Sequence, residues 1–160
     1  MISILPVSAD DAADIVEGIV QGGLAGAVPG TDGVKTVGEA RAMLLGLVER
    51  ASLGRELHFS VWLDRSKVIG MCALYELGIN AGTARMGYWI SKPYRSRGYG
   101  KRAAEMLLEI AFEKFGLDRV VASCEPSNAP SRKLLISLGF HEDPAGENGG
   151  GMAAFSIARA

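Results

Sequence analysis

Two hydrophobic rhythms run along this chain, and the switch between them divides it into halves. An apolar run over Ile2–Val7 predicts a strand, after which Asp10 and Asp11 open a helix of small and apolar residues. Glycine is dense from Gly18 to Gly38, with Pro29 among it. That density predicts a mobile loop or broken helix, because glycine weakens any regular element it occupies. From Glu39 to Leu53 apolar residues recur at helical spacing, ending near Gly54. Alternation of period two then takes over in Leu57–Leu63, Val68–Leu77 and Ala84–Ser91, with turns at Asp64-Arg65-Ser66 and Gly78–Gly82. Three consecutive strands on short turns predict an antiparallel meander.

The second half returns to helical spacing. Gly98–Phe115 carries Ala103, Met106, Leu107, Ile110 and Ala111 on one face and Glu105, Glu109 and Glu113 on another, and Gly116 stands where a C-cap glycine belongs. A valine-rich strand, Arg119–Glu125, follows. Asn128–Leu138 is then a short helix with Pro130 in its first turn and Gly139 beyond its end. Phe140 onward and Met152–Ala158 read as two final strands around Gly149-Gly150-Gly151. The expected fold is therefore α/β: a mixed central sheet, antiparallel first, with a βαβ unit after it and helices on its flanks.

Composition narrows the setting. With 160 residues, 48% of them apolar, the chain fills one core, so residues 1–160 are read as a single domain. Its net charge of -1 argues against coating nucleic acid or an anionic membrane, which needs a surplus of Lys and Arg. No apolar run reaches the roughly 18 residues that span a bilayer, and Met1–Pro6 lacks the charged lead of a signal peptide. Two cysteines make no disulfide framework, and with only two histidines no metal site is expected. The cytoplasm is the expected location.

One segment carries chemistry. In Tyr88-Trp89-Ile90-Ser91-Lys92-Pro93-Tyr94-Arg95-Ser96-Arg97-Gly98-Tyr99-Gly100-Lys101 a strand ends, a basic glycine-containing loop follows, and the longest helix begins. A helix start leaves N–H groups unpaired and partially positive. Glycines let an anion approach that backbone, and Arg95, Arg97, Lys101 and Arg102 add charge. A basic helix start whose glycines serve only the turn would look the same. Among phosphate motifs, a Walker A loop fails, since Arg95 holds its first glycine position and Arg102 follows Gly100-Lys101. The dinucleotide pattern G-x-G-x-x-A fits Gly98–Ala103, but the Ser91–Gly98 loop is long for that turn. The 35 residues after Glu125 are also too few for the second half of a doubly wound sheet.

Arg95-x-x-Gly98-x-Gly100 resembles the R/Q-x-x-G-x-G/A signature of the GNAT N-acetyltransferase superfamily. The likeness extends through Gly87-Tyr88-Trp89-Ile90, Ala111-Phe112, Gly116-Leu117-Asp118-Arg119-Val120, and Asn128-Ala129-Pro130-Ser131-Arg132-Lys133-Leu134-Leu135 to Leu138-Gly139-Phe140. It is most like the RimJ/RimL branch, in detail over residues 67–141 and in outline before residue 57. The resemblance implies a GNAT-like fold with acetyl-CoA as co-substrate and no metal. The thioester would lie where the strand carrying Trp89, Ile90 and Ser91 splays from Arg119–Glu125. Backbone groups of those three residues would pair with the pantetheine arm, the amides of Ser96, Arg97, Gly98, Tyr99, Gly100 and Lys101 would hold the diphosphate, and Asn128 would face the pantetheine or the acceptor. For Asn128 a plain helix N-cap explains the residue equally well.

The implied reaction moves an acetyl group to a primary amine, on a protein N-terminus or a small molecule, by direct attack on the thioester. Many relatives protonate the departing thiolate with a tyrosine seven residues after the Asn. Here that position is Leu135, and Ser131 is the substitute candidate, with a local backbone bond as its structural alternative. Glu125 and Glu76 are candidates for drawing off the ammonium proton, although both also read as solvated acids. Many members of this branch carry a Glu two residues before the G-Y-W motif, where this chain has Arg85. Cys124 and His58 read as structural, and Tyr88, Trp89 and Tyr94 as core or as walls of the acceptor pocket. The glycine-dense loop is expected to border the acceptor, whose identity the sequence leaves open. A homodimer is an assembly the resemblance allows. The rival function is a CoA-binding sensor or regulatory module that has lost turnover, a reading kept open by the missing tyrosine and base.

Overall fold

A computed structural model describes residues 1–22, 30–144 and 151–160. In chain order the elements are β1 (Ile2–Pro6), α1 (Ala12–Gln21), α2 (Val37–Ser52), β2 (Leu57–Leu63), β3 (Lys67–Asn80), β4 (Thr83–Ile90), α3 (Tyr99–Glu109), β5 (Arg119–Cys124), α4 (Ala129–Ser137), β6 (His141–Glu142) and β7 (Ala153–Ala158). The strands form one sheet in the order β1-β2-β3-β4-β5-β7-β6. All neighbours are antiparallel except β4 and β5, which α3 connects in parallel as a βαβ unit.

Helices α1, α2 and α4 start where the sequence provides a cap. Ser8 and Asp11 form a capping box ahead of α1, and the buried Asp11 carboxylate also accepts the Ser60 hydroxyl at 2.6 Å, fastening the helix start to β2. Thr36 and Glu39 form a second box at α2, and Asn128 Oδ1 accepts the Ser131 N–H at 3.2 Å at the start of α4. Two apolar layers result. Ile15, Ile19 and Leu44 pack with Met71 and Trp89 on one face of the sheet. Leu107 and Leu135 pack with Leu74, Val120 and Phe155 on the other. At about 1.5–3 kcal/mol for each fully buried large side chain, these layers hold the domain together. Among the described residues no helix is long and apolar enough to cross a membrane.

Four expectations change. Gly18 sits inside α1, not in a loop: a Cβ there would lie 2.3 Å from Ser91 Oγ and 3.1 Å from the Trp89 ring, so close packing on β4 accounts for the glycine. Residues 23–29 of the glycine-dense stretch, and 149–150 of the last turn, lie outside the described residues. Strand β3 continues past Gly78 to Asn80, because Glu76 and Gly78 absorb a register shift in left-handed conformations (φ 59° and 77°). Helix α2 begins two residues before Glu39, at the Thr36 cap. Finally, α3 gives way at Ile110–Lys114 to a wider π turn, which ends at Gly116 (φ 60°) with Leu117 N–H on the Ala111 carbonyl.

Gly70 allows β3 and β4 a close approach. A Cβ there would stand 2.2 Å from the Trp89 carbonyl oxygen, a backbone atom that cannot rotate away. Gly70→Ala is expected to cost about 1–3 kcal/mol through overpacking. In a domain of this size the melting temperature should fall by about 2–10 °C. Calorimetry checks this, and an unchanged melting temperature would show that β3 and β4 separate freely here.

Candidate active site

Strand β4 opens from its parallel neighbour. Thr83, Ala84 and Arg85 pair with Arg119, Val120 and Val121, and pairing stops there, while β4 runs on to Ile90 against β3 and β5 runs on to Cys124 against β7. Residues 86–90 and 122–124 thus face each other across a wedge with backbone groups unspent on one another, an edge to which an extended ligand could add as a strand. Ser91 N–H donates to the Ile69 carbonyl at 2.8 Å, toward β3. Hydrogen-bonding directions alternate along a strand, so the Ile90 amide and carbonyl face the open side. That carbonyl accepts Arg95 Nε at 2.8 Å, which ties the basic loop to the end of β4. The Ile90 N–H faces the same open side. Trp89 packs in the layer against α1 and α2.

The loop from β4 to α3 is an anion site by its backbone. Gly98 occupies the N-cap of α3 in the left-handed conformation (φ 81°) and offers no capping side chain, unlike Thr36 and Asn128 at their helices. Ser96, a non-glycine residue, is left-handed as well (φ 60°). Such conformations turn successive N–H groups toward one point. Among the described residues, the N–H groups of residues 96–101 donate to nothing within the protein. A Cβ at Gly98 would meet no atom within 4 Å, so the space before these amides is open. At Gly100 a Cβ would touch Leu134 and Ile90 at 3.4 and 3.5 Å, which places the start of α3 against both α4 and the end of β4. Lys92, Arg95, Arg97, Lys101 and Arg102 surround the loop with no acidic residue among positions 92–102. The site fits the diphosphate of a CoA thioester in charge and in donor supply.

A cavity of about 1270 Å³ runs through the wedge from one face of the sheet to the other, large even against the usual range for ligand sites. On the α4 side it is lined by Tyr88, Cys124, Asn128 and Ser131. Here the structure brings together hydroxyls that the sequence leaves apart: Tyr88 Oη lies 3.2 Å from Ser131 Oγ. Burial pushes the Tyr88 phenol above its ordinary value, the Ser131 hydrogen bond notwithstanding, so it stays protonated and able to donate. Burial likewise pushes the Cys124 thiol up, with Ser131 as its hydrogen-bond partner, in keeping with an inert thiol. Cys72 is held at about 12 by burial alone.

On the opposite face the cavity is lined by Glu56, His58, Tyr75, Glu76 and Arg85. Glu76 reaches it because its left-handed backbone breaks the alternation of β3, and its carboxylate pairs with Arg85 at 3.4 Å. Glu125, exposed at the end of β5, stands on the rim. Of the expected site residues, Ser131 meets Tyr88 at the wedge, Asn128 lines the same cavity, and residues 96–101 form the amide cluster. Glu76 lies toward the opposite face and Glu125 on the rim, and among the described residues neither carboxylate bonds the hydroxyl pair. The sequence marked Tyr88 only as a possible wall and did not single out Glu56. Strand alternation alone could place Tyr88 on the α4 face, but no sequence signal places Ser131 beneath it.

Comparison with known proteins agrees with this geometry. The model of the acetyltransferase (GNAT) domain family matches residues 2–141. N-acetyltransferase p20 of Bacillus licheniformis, itself uncharacterized, is 31% identical over 108 residues, 67% of this chain and 61% of that protein. The chain spans about half to three-fifths of the length of the curated relatives it matches. RimJ of Mycobacterium smegmatis, solved in complex with a CoA disulfide, superposes with a TM-score of 0.82 at 25% identity, covering 98% of this chain and 81% of RimJ. The ribosomal-protein-S5-alanine acetyltransferase of Vibrio fischeri shares the fold, with a TM-score of 0.82 at 22% identity over 98% of this chain and 92% of that one. The open β4–β5 wedge, the uncapped start of α3 and the family match together show that the chain belongs to the GNAT acetyltransferase family.

Proposed function

We propose that this chain transfers the acetyl group of acetyl-CoA to a primary amine, on a peptide N-terminus or a small molecule, by direct attack on the thioester. The observation that carries the reading is the run of undirected amides at residues 96–101, set beside the open edge of β4. Those amides, with Arg97 and Lys101, would hold the diphosphate. The free edge near Ile90 would pair with the pantetheine arm, and Asn128 would border it while capping α4. The thioester supplies an activated acyl carbon. Ile90 N–H would stabilise the oxyanion, and the Tyr88–Ser131 hydroxyl pair would protonate the departing thiolate, a role expected of Ser131 alone from the residue pattern. This pair favours turnover over a sensor, since mere retention of CoA needs no proton donor at the wedge. The free thiols of Cys72 and Cys124 suit the reducing cytoplasm.

Acetyl-CoA at about 100 times its Kd should add roughly 2.7 kcal/mol of stability, raising the melting temperature by about 5–10 °C. NAD and ATP should give no such rise. Free-thiol release is then followed with alaninamide, spermidine and an alanine-terminated hexapeptide. A thermal shift without thiol release from any of the three would favour the sensor. No shift at all would end the acetyl-CoA reading.

A further inference from the structure

His58 is buried at 7% exposure, yet it lines the cavity on the face away from the hydroxyl pair. Its Nε2 lies 3.0 Å from Glu56 Oε1, and Glu56 in turn accepts Arg50 Nε at 2.7 Å. Arg50 comes from α2, Glu56 from the segment entering β2, and the Tyr75 ring from β3 meets the imidazole edge-on at 5.2 Å. These are the charged and titratable groups packed against it; Arg55, Glu76 and Arg85 stand further round the cavity. Nothing among the described residues bonds the other ring nitrogen. A structural histidine in a strand needs no carboxylate–guanidinium relay behind it, and it does not face a substrate-sized cavity.

Strand register fixes where this imidazole stands. His58 pairs with Ala73, and Ala73 pairs with Gly87, so the three share one row and one face of the sheet. The row ends at the strand that opens from β5, two strand spacings or about 10 Å from His58. Ala73 and Gly87 present nothing larger than a methyl group, and the Tyr75 ring, edge-on to His58, also lies over Gly87, where a Cβ would stand 3.3 Å from its Cε2. His58, Ala73, Tyr75 and Gly87 thus line one continuous stretch of the cavity, which leads from His58 to the wedge.

We infer that His58, oriented by Glu56, is the proton acceptor for the incoming acceptor ammonium, which approaches along the face of the sheet opposite the Tyr88–Ser131 pair. The inference rests on the acetyl-transfer reading and assigns its missing base. An ammonium nitrogen gives up two protons in becoming an amide. The first passes to His58 through a chain of waters along this part of the cavity, and on to solvent, which frees the lone pair. The amine then attacks the thioester carbon, the N–C bond forms, and the nitrogen releases its second proton to solvent along the same path. The C–S bond breaks, and the thiolate takes its proton from the Tyr88–Ser131 pair, which solvent reprotonates. An imidazole is better matched to this work at neutral pH than Glu76 or Glu125, because its ordinary pKa is near neutrality. Burial holds His58 below that value, and the hydrogen bond and charge of Glu56 offset part of the drop, so the ring is neutral and basic at pH 7. Burial alone would raise the Glu56 carboxyl, but hydrogen bonds from Arg50 and His58 keep it low and ionised.

Two measurements test this. The chain holds only two histidines, so the His58 ring is identified by NMR as the signal lost in His58→Gln, with no cofactor present. Its titration midpoint should lie below about 6.5, the value of an unperturbed imidazole. Glu56→Gln should lower that midpoint further, and alaninamide at high concentration should shift the ring signals. A ring indifferent to alaninamide would overturn the inference. The second measurement is kcat against pH, with whichever of the three amines above turns over fastest. The wild-type rate should fall on the acid side as His58 protonates. His58→Gln, which can still bond Glu56, should lose that limb and about 100-fold in kcat, with its acetyl-CoA thermal shift intact. A uniformly lowered profile that keeps the limb would make His58 structural and overturn the inference while leaving acetyl transfer standing. A wild type that binds acetyl-CoA but acetylates none of the amines would strike down both.

Discussion

Gly98→Asp should abolish the acetyl-CoA thermal shift in a protein that still folds. The space at this position is open, since a Cβ there meets no atom within 4 Å. Its φ of 81° is one that Asp and Asn adopt more readily than other side chains, at about 1–2 kcal/mol. The backbone therefore has reason to hold its course. What changes is the tenant of the amide cluster: a carboxylate fixed at the N-cap accepts the N–H groups of the first turn and is favoured by the helix dipole. It would occupy the diphosphate position and repel the ligand. Loss of at least about 2.7 kcal/mol, or 100-fold in Kd, is the expected result. Gly98→Asn separates charge from shape, since it fits the same conformation without charge and should bind at least about ten times more tightly than Gly98→Asp. Equal affinity in wild type and Gly98→Asp, measured by calorimetric titration, would remove the amide cluster from the cofactor site.

That position was legible in the sequence because its signal is local. A glycine between a basic loop and an amphipathic helix reads as an uncapped anion-binding start without knowledge of the rest of the chain. The β2-β3-β4 meander was legible for the same reason, each turn lying between two alternating runs. What escaped was non-local. Gly18 looked like part of a loop because its real cause, Ser91 and Trp89 pressed on α1, lies some seventy positions away. The extension of β3 to Asn80 depends on a left-handed Glu76, a residue type with no marked preference for it. Thr36-x-x-Glu39 did carry a local capping signal, and it places the start of α2 where helical spacing alone did not. Arg95 read as one charge among several and as the first residue of the signature, whereas its Nε holds the Ile90 carbonyl. His58 and Tyr88 gained meaning only from register, one from its row and the other from the helix packed over it.

The hydroxyl pair carries the second large effect. Leu135, at the position where the resemblance expects a tyrosine, is 1% exposed and belongs to the core beneath α4, so no donor can come from there. Tyr88 approaches from the opposite wall of the cleft and meets Ser131 one turn before Leu135 on the same helix. The donor hydroxyl has in effect moved from α4 to β4, with Ser131 as the contact between them. Loss of a general acid typically costs 10²–10⁴-fold, so Ser131→Ala and Tyr88→Phe should each lower kcat by about 100-fold with little change in acetyl-CoA affinity. Because the two act as one unit, the double variant should be slower than either single by less than about tenfold, not by a further hundred. Since burial keeps the phenol protonated beyond its ordinary range, the wild-type rate should also hold up through pH 9. A basic limb near pH 8 would name a different donor. Fully multiplicative losses in the double variant would mean that Ser131 and Tyr88 act separately, with Ser131 then confined to the cap of α4 that Asn128 already gives it.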